Sequence, residues 1–232
     1  MNPTISICIP SFNQAEYLED ALESAYNQTM SPLEIIVVDD GSTDNSLEIA
    51  NRYMFKEFPM IESPVRVISQ VNKGLASARN TGIMNAKGDY CLFLDADDML
   101  KENAIQRITQ EIIQHNPDIV APSFKEFGKS DREIILNGFT MEDLKVANRI
   151  GYFCAIRRSA LLEVGGYNPK MKWGFEDYDL SFDLFKRGKT IAIISDILVM
   201  YRVKDISMIT IANEHSDELM AQIKKNHPNI WQ

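Results

Sequence analysis

The chain has 232 residues, 45% hydrophobic, 25% charged and 9% aromatic, with only 11 Gly and 9 Pro, which excludes a collagenous, low-complexity or disordered polymer and leaves room for one large domain or two small ones. Lys and Arg number 24 against 33 Asp and Glu, a formal charge of -9 that opposes attraction to nucleic acid or an anionic bilayer. Cys8, Cys91 and Cys154 lie far apart in apolar surroundings with no CxxC pair, and Met1-Asn2-Pro3-Thr4 opens no signal peptide. Buried thiols in a cytoplasmic protein without a membrane span are therefore expected.

Ile5, Ile7 and Ile9 alternate with Ser6 and Cys8 as a strand that Pro10 ends. Asn13, with Glu16 at the capping-box offset, then predicts the N-cap of a helix carrying Leu18, Ala21, Leu22 and Ala25. Ile35 to Val38 form a β-branched run that stops at Asp39-Asp40-Gly41-Ser42, and Leu47, Ala50 and Met54 mark a second helix. Val65 to Ile68 predict a third strand, residues 75 to 86 an Ala-rich helix, Tyr90 to Leu94 a fourth strand, and Ile105, Ile108 and Ile112 another helix. This alternation predicts a mostly parallel, Rossmann-like α/β sheet with helices on both faces.

Beyond Pro117 the rhythm loosens. Strands are expected at 118 to 121, 134 to 136, 152 to 156 and 190 to 201. Thr140 and Asp143 predict a capped helix running to Ile150, Ser159 to Val164 a helix stopped by Gly165-Gly166, and Glu176 to Arg187 one stopped by Gly188. With no linker-like stretch or repeat, the economical organisation is one domain, with a nucleotide-binding half at 1–98 and a mixed, acceptor-side half at 99–232.

In open α/β sheets ligands bind beyond the carboxyl ends of the strands. Those ends read Pro10-Ser11-Phe12-Asn13, Asp39-Asp40 and Asp95-Ala96-Asp97-Asp98. Two acidic clusters brought together need relief from a divalent cation or from hydrogen bonds to a ligand, and an anionic ligand in so acidic a protein needs a local cation, metal or arginine. Rival motifs fail on their own terms. No GxGxxG follows the first strand, Leu100 stands where an EF-hand needs Gly, and Ser123 and Asp183 replace the first Gly of two P-loop look-alikes at 128–130 and 188–190. His115, His215 and His227 form no HExxH or triad signature.

Taken in order, Pro10-Ser11-Phe12-Asn13, Val37 to Asp44, Asn72-Lys73-Gly74, Ala78-Arg79-Asn80-Thr81-Gly82, Gly88-Asp89-Tyr90 and Phe93 to Asp98 resemble the large inverting family two of nucleotide-sugar glycosyltransferases, with the A-type (GT-A) fold. The likeness resumes at Gly165 to Asn168 and Trp173 to Asp177. It implies a UDP-sugar donor, with Pro10, Phe12, Asp39 and Asp40 around the uracil, where Phe12 is a platform and Asp40 accepts the imide N–H. Asn72, Lys73 and Arg79 would face the nucleotide, Asp95 and Ala96 the ribose side, and Asp97 would hold Mn2+ or Mg2+ against the diphosphate. Asp177 would be the general base on the acceptor hydroxyl, with Glu176 the neighbouring alternative and Trp173 either stacking on an acceptor sugar or packing in the core.

The same resemblance implies saccharide or lipid-linked acceptors in cell-surface polysaccharide synthesis, with peripheral contact at the inner face of a membrane for the latter and no nucleic-acid partner. A non-catalytic nucleotide-sugar-binding module is the rival, against which the retained Asp97 and Asp177 argue. One departure stands out. Many relatives carry Tyr-Arg-x-His before a Ser-Met pair, where this chain has Tyr201-Arg202-Val203-Lys204. A protonated lysine ligates no cation but can bond a diphosphate, so Lys204 is expected at the donor, with residues 202 to 212 closing over it as a mobile lid.

Overall fold

The computed structural model of the chain describes residues 2–54, 65–205 and 207–231. Its first half is the expected βα alternation: β1 (Ile5–Ser11), α1 (Leu18–Tyr26), β2 (Glu34–Asp39), α2 (Ser46–Met54), β3 (Val65–Ser69), α3 (Leu75–Asn85) and β4 (Tyr90–Phe93). There follow β5 (Met99–Leu100), α4 (Ala104–His115), β6 (Ile119–Gly128), β7 (Glu133–Ile134), α5 (Met141–Val146), β8 (Ala155–Arg157), α6 (Arg158–Val164), α7 (Glu176–Lys186), β9 (Ile191–Val203), α8 (Met208–Glu214) and α9 (Ser216–Asn226). A last turn spans Pro228–Ile230.

All strands among the described residues join one sheet in the order β3-β2-β1-β4-β8-β6-β9-β5, with β7 added to β6. The four strands of the first half run parallel. Beyond them β8 pairs antiparallel with both β4 and β6, while β6 and β9 form a long parallel ladder with a bulge on either side of Ser123. All seven residues of β1 are buried, because the sheet is covered on both faces. Ile5, Ile7 and Ile9 pack with α1, α2 and α4 on one face, and Cys8 with α3, α6 and α7 on the other. A third cluster joins Leu144 of α5, Tyr178 and Phe182 of α7, Ala212 of α8 and Leu219 and Ile223 of α9. The three cysteines are buried and free, as expected.

Several boundaries differ from those read in the sequence. Pro10 does not end β1: it pairs with Val38 of β2, and pairing to β4 stops at Cys8, so no donor is required of Pro10 on that side. Asn13 is no N-cap. It takes a left-handed φ of 52° and its side chain accepts from the Thr43 amide at 2.8 Å, stitching the first loop to the second, while α1 starts at Leu18. Helix α2 buries Ser46, Ile49, Ala50 and Tyr53 and leaves Met54 exposed. The capping box of Thr140 and Asp143 is present, but α5 stops at Val146. Strand β5 and helices α8 and α9 had no counterpart among the expected elements.

Candidate active site

The carboxyl ends of β1, β2 and β4 converge on one side of the sheet, and each acidic loop there is bonded in a different way. After β2, Asp40 accepts from Gln70 Nε2 (2.6 Å) and the Lys73 amide (3.0 Å) on Oδ1 and from the Gly74 amide (2.8 Å) on Oδ2. Asp39 accepts from the Ser42 amide and from Ser69 Oγ, both at 3.3 Å. The pair thus shapes the 70–74 loop, on which the side chains of Asn72 and Lys73 are exposed. Gly41 is obligatory between them, with φ of 76° and a would-be Cβ only 2.9 Å from the Asn72 amide. Phe12 projects at the end of β1, 44% exposed.

Arg79 is not a surface arginine but is buried at the wall of a cleft. It is 1% exposed, its Nη2 bonds Asp95 Oδ1 at 2.7 Å, its Nη1 bonds Glu176 Oε1, and its guanidinium lies against the rings of Tyr152 and Tyr167. It ties the loop after β4 to the start of α7. The next residue fixes the same junction. Asn80 accepts from the Tyr167 amide and donates to the Tyr167 carbonyl, and Gly166, with φ of 75°, leaves room for that side chain where a Cβ would sit 2.3 Å from its Oδ1. This is why Arg79-Asn80 and Gly165-Gly166-Tyr167 occur together although some 85 residues apart in sequence.

After β4, Ala96 is buried and Asp95, Asp97 and Asp98 diverge. Burial pushes the Asp95 carboxyl up to about 6, against Arg79 and with the Asp97 charge adding to the rise. Asp97 Oδ2 pairs with Lys204 Nζ at 2.5 Å, so Lys204 stands in the site, packed also over the Tyr17 ring. Asp98 accepts from the Arg202 amide at 2.6 Å, and burial raises its carboxyl well above the usual range. Arg202 also donates to the Asp97 carbonyl and to Asp20. It lies within β9, paired beside Phe127, so residues 202 and 203, expected at the start of a lid, are part of the sheet in this structure. Residues 207–212 form the start of α8 behind a Ser207–Thr210 capping box, with Ala212 buried beside Gly174 while Met208, Ile209 and Ile211 are exposed. Ile206, within the expected lid, lies outside the described residues.

Facing these carboxylates is the N-terminus of α7, set by Phe175 in a left-handed turn with φ of 60°. Glu176 is committed to Arg79. Asp177, partly buried, accepts from Asn148 Nδ2 at 2.9 Å and from the Tyr178 amide at 2.8 Å. Burial, with the Glu176 charge, pushes its carboxyl up to about 7 despite Arg79 and those two bonds. Asp95, Asp97, Asp98, Glu176 and Asp177 all line one cleft of about 910 Å3, whose outer wall carries the exposed apolar side chains Ile135, Val146, Met208 and Ile209. Trp173 is half exposed and stacks on His215 at 5.1 Å rather than entering the core. Asn148 escaped the sequence reading, and Asp98 and Arg202 were quoted in motifs without the bond between them. Asn148 lies in a stretch with no motif, whereas Asp98 and Arg202 adjoin residues already singled out.

A divalent cation fits the donor set beside Asp97. The oxygens are hard carboxylate ligands suited to Mn2+ or Mg2+, and the buried Oδ2 of Asp98 has no hydrogen-bond partner among the described residues. Lys204 competes with such an ion for Asp97.

Residues 6–165 match the family described as Glycosyl transferase family 2. The glycosyltransferase GlyG of Streptococcus pneumoniae serotype 4 is 32% identical over 230 residues, covering 90% of this chain and 74% of GlyG. Chondroitin synthase of Pasteurella multocida is 33% identical over 192 residues, covering 81% of this chain but 19% of the synthase. Among solved structures, S. aureus TarS 1-349 superposes with a TM-score of 0.77 at 21% identity, over 97% of this chain and 66% of TarS, and its complex with UDP-GlcNAc with 0.75 at 19%, over 97% and 72%. Among the described residues no helix is long and apolar enough to cross a membrane. The family match over most of the chain, together with the identity to GlyG, establishes that this chain belongs to glycosyl transferase family 2, and the superposition on TarS gives it the GT-A fold.

Proposed function

We propose that the chain transfers a sugar from a UDP-sugar donor to a hydroxyl acceptor with inversion, in the assembly of a cell-surface polysaccharide. The observation that carries this reading is the cleft in which Asp97 and its neighbours face Asp177. Support also comes from the relatives: a solved TarS complex holds UDP-GlcNAc, and chondroitin synthase is named for making a polysaccharide. Phe12 offers an aromatic face to the uracil, and Asp40 retains acceptor capacity for the imide N–H beyond the three donors it already accommodates. Asn72 and Lys73 flank the nucleotide from the loop that Asp40 holds, with Pro10 beneath.

Asp95 receives the ribose side of the donor while Arg79 holds its carboxylate in place. Asp97 would hold Mn2+ or Mg2+, which when bound offsets the charge of the departing diphosphate. Lys204 moves from Asp97 to a phosphate oxygen when the donor binds. Asp177 accepts the proton of the attacking hydroxyl from the opposite side of the sugar, and Glu176, bonded to Arg79, positions it. The apolar side chains on the outer wall suit a lipid-linked acceptor, with the enzyme on the cytoplasmic face and in peripheral contact with the membrane.

Calorimetric titration of UDP tests the donor site. Binding is expected to weaken by about tenfold or more when Mn2+ is replaced by chelator and in Asp97→Ala. A charged hydrogen bond contributes about 1.5 kcal/mol or more, so Lys204→Ala should weaken UDP by about tenfold. The same variant frees Asp97 and should raise Mn2+ affinity without nucleotide, and Lys204→His should steepen the Mn2+ dependence. Identical UDP affinities under all of these conditions would remove both Asp97 and Lys204 from the donor site.

A further inference from the structure

Asp179 and Asp183 of α7 and His227 near the C-terminus form a second polar cluster, outside the lining of the cleft. His227 and Asp179 have side chains only 1% exposed, and Asp183, one turn further along α7, is 34% exposed. His227 Nε2 lies 2.9 Å from Asp179 Oδ1. Asp179 also accepts from Asn226 Nδ2 at 2.8 Å and from Asn168 Nδ2 at 3.0 Å. A carboxylate surrounded by donors in this way is an acceptor only, so Nε2 carries the hydrogen and donates it.

In the neutral ring this fixes the tautomer and leaves Nδ1 with its lone pair. Nδ1 is buried without a hydrogen-bond partner among the described residues, and the nearest acidic atom is Asp183 Oδ1 at 3.6 Å. That gap is long for a hydrogen bond. It is, however, the separation of two atoms bound to one ion at about 2.1 Å and subtending about 110–120°. One ligand atom from each of Asp179, Asp183 and His227 lies within 4.8 Å of the other two. Around them Phe182 packs on the His227 ring and Trp231 on Phe182, which holds the imidazole in this orientation.

We propose that His227 Nδ1 and Asp183 bind a borderline divalent cation of the Zn2+ class. Asp179 acts behind the imidazole as the carboxylate that orients a metal-bound histidine, and water enters from the exposed side of Asp183 to complete the coordination. Imidazole nitrogen as a ligand favours Zn2+, Ni2+ or Co2+ over Mg2+. The ion ties the end of the chain to α7, the helix whose first turn carries Glu176 and Asp177, and its role is structural.

The test is calorimetric titration of Zn2+ into the full chain carrying Asp97→Asn, which weakens the competing site in the cleft. One equivalent is expected to bind, and adding His227→Gln or Asp183→Asn should weaken it by tenfold or more without altering the circular dichroism spectrum. Mg2+ should give no saturable binding at this site. Asp183 is partly exposed, so Asp183→Asn remains informative if His227→Gln fails to fold. The proposal is overturned if the Asp97→Asn protein shows no saturable Zn2+ binding, or if Asp183→Asn leaves the titration unchanged. The cluster would then be an imidazolium clasp in which a protonated Nδ1 pairs with Asp183.

Discussion

Asp177→Asn is expected to lower sugar transfer by about a hundredfold or more while leaving UDP affinity and the fold intact. The amide keeps the shape of the carboxylate and can still accept from the Tyr178 amide, one of the two bonds that hold Asp177. What is lost is the ability to take a proton. Glu176 cannot substitute, since its carboxylate is held by Arg79. The pH profile gives a second reading of the same group. A base whose carboxyl is pushed up to about 7 is increasingly protonated below that pH, so transfer should fall about tenfold per unit below 7 and level off above it. Stability runs the other way. The folded state holds the Asp177 proton more tightly than the unfolded chain does, so this group's contribution declines as pH rises from about 4 to about 7. Near wild-type transfer in Asp177→Asn would move the base elsewhere.

Arg79→Ala is expected to cost about 3–5 kcal/mol of stability, the loss typical of removing one partner from a buried ion pair. Arg79 separates Asp95 from Glu176 at the cleft wall, where Arg79 and Glu176 are buried and Asp95 is 22% exposed. Without it two carboxylates face each other, and one must take up a proton or the junction between β4 and α7 must open. Arg79→Lys should recover only part of the loss, because a compact ammonium does not reproduce the planar fork whose two nitrogens reach the two partners. Urea unfolding of the three proteins measures this, and a change below about 1 kcal/mol in Arg79→Ala would mean that the junction does not depend on the arginine.

The parallel half of the sheet was legible because Ile35 to Val38 and Tyr90 to Leu94 are apolar runs too short for helices and closed by turn-forming acidic loops. Strand β6 was read too short. Ser123, Lys125 and Glu126 interrupt its apolar run, since beyond the bulge the strand leaves the core and takes β7 along its edge. Helices α8 and α9 were missed because their apolar residues face a small satellite cluster, so Ile209 and Ile211 stay exposed and the helical period is blurred. At the site, motifs located the residues but not what each touches. The motif marks Arg79 as a site residue, but its partners Asp95 and Glu176, 16 and 97 residues away, become visible only in the fold. Lys204 was singled out as a departure at one position, and only the fold brings it onto Asp97.

The central claim, that this cleft splits a UDP-sugar and hands the sugar to a hydroxyl, is tested most directly by incubating the protein with a panel of UDP-sugars and Mn2+ and measuring released UDP. In the absence of an acceptor, water serves slowly in its place, so the donor can be identified before the acceptor is known. The account predicts slow release from one or a few UDP-sugars, abolished by chelator and by Asp97→Ala, and strongly reduced by Asp177→Asn. No release from any UDP-sugar, or release that continues unchanged in both variants, would contradict it.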